Sequence, residues 1–371
     1  MINQTEIKIV RDSIEKSLLE SELTVFTAIQ VDVEKVKELR EHELQLIKTI
    51  ADENHITEFE ASPHERSFFS QMEEHMESDD VLLLYSIALP YRARRPHRQV
   101  VSGQVDDSSM TFDYHKRFSE KMKKVIEALR IMDLPEAVEI EPQWFIDTAL
   151  YFDRELAFIT GLGNYGKNHM LICPEYGSRF HIGHFYLLVK ETEKIFEERS
   201  SENPRLPIRD LQRLNIACAN CDLCVRACPA KICGRTEMDR TKCVSYLTQT
   251  KKLLMPDQVK RISNHLYGCD ICQQVCPLNQ AQTVEETLEQ MDLIDILKLS
   301  QRGFKRLYGE TGFSWRGVKV IKRNALIAIL NSGMEGMAVE AIKIEGLFED
   351  NSLRPYVEML EEKYQICRKE C

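Results

Sequence analysis

Nowhere in this chain does an apolar run reach the eighteen residues that a membrane-crossing helix needs; the longest, Val81 to Pro90, is about half that. The first twenty residues alternate charged with aliphatic side chains and lack the unbroken apolar core of an export signal. No internal repeat and no low-complexity tract breaks the pattern. Net positive charge is missing too: 49 Lys and Arg stand against 59 Asp and Glu, a formal charge of −10. That balance argues against a generic polyanion binder, because such affinity comes from cations that displace counterions. These absences lead us to expect a cytoplasmic protein with reduced thiols and no membrane partner.

The chain does have 371 residues, 43% of them hydrophobic and 29% charged, enough for two or three domains with a sizeable core. Its charge is uneven. Residues 71–80 are acidic, whereas 91–98 and the span Arg302 to Arg323 are basic. Such runs are more often solvated surface than a nucleic-acid face, but they allow one on an acidic protein.

Twelve cysteines are present; nine fall between Cys218 and Cys276, and eight of those follow a ligand spacing. The first four, Cys218, Cys221, Cys224 and Cys228 before Pro229, form a C-x2-C-x2-C-x3-C-P run. Two-cluster ferredoxins use this spacing, and its last cysteine crosses to the other cluster. Cys269, Cys272 and Cys276 before Pro277 repeat the pattern without its first ligand, and Cys243 is the natural candidate for the gap. Crossing over then assigns Cys218, Cys221, Cys224 and Cys276 to one 4Fe-4S cluster. It assigns Cys228, Cys243, Cys269 and Cys272 to the other. Zinc sites prefer two separated C-x2-C knuckles, and disulfides need an oxidising compartment, so both alternatives fit less well. Cys173, Cys233, Cys367 and Cys371 fall outside the pattern and are assigned no role.

Aliphatic spacing predicts helices over 5–20, 33–53 and 113–130, and strands over 81–91 and 137–142. A helix is expected from Trp144 to Thr160, stopped by the glycines of GLGNYGK (161–167). HMLICP (169–174) and RFHIGHFYLLV (179–189) read as strands of one sheet. The charge-rich stretch 190–205 is the best linker, and helical periods return over 284–299, 316–331, 335–345 and 353–366.

GLGNYGK matches the dinucleotide fingerprint, but a helix rather than a strand precedes it. It nearly matches a P-loop, but Asn168 replaces the magnesium-binding hydroxyl. What survives is a tight turn whose backbone can approach something closely. HIGH (181–184) lies on a strand without a second synthetase motif and reads as chance. Asp147, on the expected helix among Phe145, Ile146, Ala149 and Leu150, suits a general acid of raised pKa; its plainer reading is a solvent-facing helix acid. Asp113, Tyr114 and His115 form a polar group at a helix start, where Asp113 could serve as an N-cap.

With ALPY (88–91), DYH (113–115), FIDTALYFDRELA (145–157), GLGNYGKN (161–168), the eight cysteines with CVSYLT (243–248) and GCDICQQVCP (268–277), and KRNALIAILN (322–331), the chain resembles the epoxyqueuosine reductases. These are cobalamin-dependent enzymes that complete queuosine in tRNA. The likeness covers roughly residues 81–335. It implies an α+β fold: a cobalamin-binding α/β domain over 1–200, a ferredoxin-like double-cluster domain over 201–283, and a helical HEAT-like domain over 284–371. It also implies two 4Fe-4S clusters and cobalamin as cofactors, Asp147 as the catalytic proton donor, and Asp113, Tyr114, His115, Gly161, Gly163 and Lys167 around the corrinoid. The expected reaction is reductive deoxygenation of epoxyqueuosine at the wobble position of tRNA. The expected partners are the anticodon stem-loop, held by basic segments such as Arg92–Arg98 and Arg316–Arg323, and an external low-potential electron donor, with the chain a monomer. Asn164 stands where the family usually has tryptophan, and Leu150 where it has proline. Two alternatives therefore stay open: a corrinoid and iron-sulfur reductase of another small molecule, and an electron-transfer protein without cobalamin.

Overall fold

The computed structural model describes residues 3–52, 67–95, 102–132, 134, 143–147, 152–190, 214–235, 238–287 and 291–366. The chain divides into two compact units, one built from residues 1–90 and 114–222, the other from 91–113 and 223–371. In chain order, the first unit opens with α1 (Gln4–Glu20), β1 (Phe26–Asp32), α2 (Val33–Asp52), α3 (Phe68–His75) and β2 (Val81–Pro90). The second then takes β3 (Ala93–Arg95), β4 (Ser102–Val105) and the one-turn α4 (Asp107–Met110). The chain returns to the first with α5 (Tyr114–Ile131), β5 (Gln143–Phe145), α6 (Asp153–Ile159), β6 (Asn164–Tyr165), β7 (Leu171–Ile172) and β8 (Phe180–Val189). The rest belongs to the second unit: α7 (Leu223–Ala227), α8 (Val244–Leu247), α9 (Pro256–Ile262), β9 (His265–Tyr267), α10 (Ile271–Gln274), β10 (Thr283–Thr287), β11 (Met291–Asp292), α11 (Leu293–Lys298), α12 (Gln301–Tyr308), α13 (Val318–Ser332), α14 (Glu335–Ile342) and α15 (Arg354–Tyr364).

The apolar run VLLLYSIALP becomes β2, second of four antiparallel strands in the order β1-β2-β8-β5. Side chains alternate across a strand, so a run buried at nine successive positions must be covered on both faces. Val81, Leu83, Tyr85, Ile87 and Leu89 pack on Ile7, Val10, Ile14 and Leu18 of α1 and on Phe118, Met122, Val125 and Leu129 of α5. Leu82 and Leu84 pack on α2, α3 and α6 through Val36, Leu39, Phe68, Phe69, Met72, Leu156 and Ile159. Each such burial contributes about 1.5–3 kcal/mol, so helices on both faces hold the sheet. Gly183 of β8 lies against the Phe118 ring, where a β-carbon would collide; close packing accounts for the glycine of the HIGH segment.

Three expectations are corrected. Residues 143–145 do not begin a helix but pair with β8, and the helix is confined to Asp153–Ile159. The break is at Asp147, whose left-handed φ of 50° cannot continue a helix. Residues 169–174 and 179–189 are not strands of one sheet, because β7 instead pairs with β6 in a separate hairpin. The helix expected over 284–299 shrinks to Leu293–Lys298, where the Asp292 carboxylate accepts the Ile294 and Asp295 N–H groups and sets the start. α12 was not foreseen, and Ser300 caps it through the Gly303 N–H. The strand expected over 137–142, most of the linker over 190–205, Cys367 and Cys371 lie outside the described residues.

In the second unit β4 is central, antiparallel to β11 and parallel to β9. α13 is buried almost throughout and packs on α11, α14, α15 and β9. Among the described residues, no helix is long and apolar enough to cross a membrane.

Candidate functional site

In the second unit α7 carries Cys224 and ends just before Cys228, α8 begins directly after Cys243, and α10 carries Cys272 between Cys269 and Cys276. Cys228, Cys243 and Cys272 pack in one apolar pocket with Val225, Ala230, Ile232 and Met238. Cys269 lies close enough to Cys243 and Cys272 for their charges to act on it. Three of the four thiols assigned to the second cluster thus share one pocket, although among the described residues no three ligating side chains close to metal-holding distance. Backbone N–H groups of Ala230, Ile232 and Cys233 serve the Cys228 sulfur, those of Ser245 and Tyr246 serve Cys243, and that of Ile271 serves Cys269.

Such amides stabilise anionic sulfur, which a cluster ligand must be. The Cys228 thiol is pushed down to about 5, first by its hydrogen bond with Cys233 and then, against burial, by these amides. Burial pushes Cys243 up to about 11 and raises Cys269 as well. A closely packed set of thiols in an apolar pocket with amide donors fits an iron-sulfur cube, whose iron offsets the thiolate charge. Cys233, given no role from spacing, is buried in the same pocket and shares hydrogen bonds with Cys228 and Cys272.

The KRN segment holds this pocket. Arg323, 4% exposed, donates to the carbonyls of Leu247 (2.8 Å) and Thr250, and Asn324 Nδ2 donates to those of Thr248 (2.7 Å) and Leu266 (2.6 Å). Thr248 Oγ1 in turn accepts the Gly268 N–H at 2.9 Å, one residue before Cys269. Gly268 has φ 67°, and a β-carbon there would fall on the buried Asp106 carboxylate. Burial raises the Asp106 pKa, and hydrogen bonds from Ser108 and Ser109 oppose the rise. Arg323 was expected on a phosphate-binding surface; it is a buried clamp instead. Arg316 is likewise half-buried, donating to the Gln249 carbonyl. Of the other basic segment, residues 96–98 lie outside the described residues.

In the first unit, a single turn over Ile216–Cys218 is capped by Asn215, whose N–H donates to the Tyr165 carbonyl at 2.8 Å. Lys167 Nζ donates to the carbonyls of Ala219 (3.1 Å) and Cys221 (2.9 Å). The GLGNYGK loop is therefore tied to the first two cysteines. Gly161, at φ 88°, ends α6, and Gly163 lets β6 approach the Ile172 carbonyl. Both glycines serve the chain's own turns.

Asp147 follows β5, exposed, not on an apolar helix face. Tyr114 donates its hydroxyl to Asp147 Oδ2 at 2.6 Å. The Tyr114 ring stacks on His115 and His181, with centroids 4.1 and 3.9 Å away. Tyr114 and His115 thus stand with Asp147. Asp113 belongs to the other unit, where its N–H donates to the Glu310 carbonyl at 2.8 Å.

Sequence reasoning missed His181, His184 and Asp153. Burial and then the charge of Asp147 raise the Asp153 pKa well above the carboxylate range. His184 is fully buried, with Nε2 3.6 Å from Asp153 Oδ1 and Nδ1 3.0 Å from Ser86 Oγ, and burial pushes its pKa down to about 3. The HIGH segment was the available signal for both histidines.

Residues 217–279 match the family described as a 4Fe-4S double cluster binding domain. The chain is 34% identical over 260 residues to an epoxyqueuosine reductase of Listeria monocytogenes, covering 66% of this chain and 63% of that one. It is 33% identical to the Bacillus subtilis enzyme over 66% of this chain and 62% of that one. It thus spans a little under two thirds of the length of these relatives. A solved epoxyqueuosine reductase of Streptococcus thermophilus superposes over 96% of this chain and 100% of its own, with a TM-score of 0.69 at 23% identity. An epoxyqueuosine reductase solved with an epoxyqueuosine-modified tRNA-Tyr stem loop superposes over 97% of this chain and 100% of its own, with a TM-score of 0.70 at 23% identity. The resemblance read from the motifs holds in both sequence and fold: this chain is similar to epoxyqueuosine reductases, shares their mixed helix and sheet fold, and carries a double 4Fe-4S cluster domain.

Proposed function

We propose that this protein is an oxidoreductase that converts epoxyqueuosine to queuosine in tRNA. The epoxide oxygen leaves as water, and the step consumes two electrons and two protons. The observation that carries the reading is an exposed Asp147 held by the Tyr114 hydroxyl in a chain that also carries eight cluster-spaced cysteines. The eight thiolates, in the two sets expected from spacing, hold the clusters through which electrons enter from an external low-potential donor.

Cobalamin, when bound, supplies the low-potential cobalt chemistry that passes electrons to the epoxide. An exposed carboxyl beside the stacked rings of Tyr114, His115 and His181 suits a flat macrocycle, because among the described residues Asp147 stays open to solvent. Tyr114 fixes the direction of the Asp147 carboxyl, and the carboxyl delivers a proton to the departing oxygen. A positioned acid is worth about 10²–10⁴-fold in rate. Gly161, Gly163 and Lys167 shape the loop and hold it to the cysteine turn, and Asp113 joins the site only through its neighbour Tyr114. The proposed division keeps a corrinoid domain over 1–200, a ferredoxin-like domain over 201–283 and a HEAT-like region over 284–371, in a monomer working in the cytoplasm on the anticodon stem-loop.

The test is to reconstitute the protein with iron, sulfide and cobalamin, add a low-potential reductant and epoxyqueuosine-containing tRNA, and analyse the nucleosides by mass. Queuosine, lighter by one oxygen, is the expected product. Unchanged epoxyqueuosine with both clusters loaded and cobalamin bound would refute the assignment.

A further inference from the structure

We propose that Trp315 is a stacking platform for an unpaired base of the RNA substrate, and that Arg302, Lys305 and Arg306 of α12 receive the adjoining phosphates. The proposal rests on the tRNA reading above and names the residues that would carry it. Trp315 is one of two tryptophans in the chain and is 58% exposed, an unusual position for the largest apolar side chain. It is nonetheless fixed in place. Its indole N–H donates to the Tyr267 hydroxyl at 2.7 Å, and that hydroxyl donates to Gln249 Oε1 at 2.9 Å. The Arg316 guanidinium lies 4.4 Å from the ring centroid and is itself held by two bonds to the Gln249 carbonyl, at 2.8 and 2.5 Å. A ring fixed by its edge and by a cation, with more than half its surface still in water, is ordered before any partner arrives, so binding does not have to order it.

The electrostatics select the partner. Arg302, Lys305 and Arg306 are exposed and occupy one face of α12 at three- and four-residue steps. α12 packs against the turn Ser314–Arg316 that carries Trp315. Glu310 is the one acid between residues 300 and 320, so a chain with net charge −10 concentrates cations here. Cations beside an aromatic platform are the chemistry of single-stranded nucleic acid, where phosphates meet the charges and a base meets the ring. A duplex keeps its bases stacked inside and cannot use the platform, whereas a stem-loop offers unpaired ones.

Binding of a fluorescein-labelled tRNA anticodon stem-loop to the cluster-loaded protein tests this, with a fully paired RNA duplex of equal charge as control. Trp315→Ala should weaken stem-loop binding about 5- to 150-fold and leave duplex binding and iron content unchanged. Trp315→Phe should recover most of the loss. Arg302→Ala with Arg306→Ala should flatten the salt dependence of log Kd by about two phosphate contacts. Unchanged stem-loop affinity in Trp315→Ala, or equal losses for stem-loop and duplex, overturns the platform while leaving the tRNA reading intact. A wild-type protein that binds neither RNA overturns both.

Discussion

The Tyr114 hydroxyl donates to Asp147 Oδ2 across 2.6 Å, joining the first residue of α5 to a left-handed residue after β5. Asp147→Asn should leave stability within about 0.5 kcal/mol, as expected for an exposed site, while lowering the rate of epoxyqueuosine reduction about 10²–10⁴-fold. Tyr114→Phe should cost less, because it loosens the carboxyl without removing it. Thermal melts and single-turnover assays separate the two effects, and an unslowed Asp147→Asn would remove its assigned role.

Cys243→Ala should leave the protein with one intact cluster, and Cys233→Ala should retain two, since only the former lies in a ligand set. Iron and acid-labile sulfide per chain report the result. Loss of a cluster in Cys233→Ala would reassign the ligands.

Gly268→Ala combines a φ of 67° with a collision at the buried Asp106 carboxylate. The loop before Cys269 should shift, at a cost of several kcal/mol. A lowered Tm together with loss of the second cluster is the expected signature. Gly333, also at positive φ but with no atom near its missing β-carbon, is the control, and Gly333→Ala should cost only about 1 kcal/mol.

His184 is held at about 3 by burial, below its ordinary value of about 6.5. Between those values the unfolded chain binds a proton there that the folded chain does not, so acid removes stability. The slope is about 1.4 kcal/mol per pH unit below pH 6.5. Asp153 acts in the opposite sense, because its raised pKa makes the folded state the better proton binder above the usual carboxylate range. Comparing wild type with His184→Gln isolates the histidine: the variant should gain relative stability of about 2 kcal/mol from pH 6.5 to pH 5. A pH-independent difference in urea midpoints would contradict a buried neutral imidazole.

The parts of this fold legible in the sequence are those whose signal is local. β2 is apolar at all but one position, and α1 and α5 repeat apolar residues at helical steps, so each could be read from its own residues. The cysteine spacing was enough to read a double 4Fe-4S cluster domain, which the family match over residues 217–279 supports. What escaped depends on distant partners or on single backbone angles. β5 exists because β8 pairs with it, and Asp147 breaks the expected helix with one positive φ. Arg323 looked like a surface cation because its charge was read without its helix; α13 is buried over most of its length, so periodicity gives little sign of which face its arginine occupies. Tyr114 and Asp147 lie more than thirty residues apart in sequence, and only the sheet brings them together.

β4 is the middle strand of β11-β4-β9, yet it comes from residues 91–113, far ahead of its two neighbours along the chain. A recombinant fragment starting at Leu223 would therefore leave both outer strands without the ribbon that pairs them, and its cysteine loops would fold on an incomplete scaffold. Expression of the cluster region as a free-standing piece should give insoluble protein unless residues 91–113 are supplied in trans or grafted back.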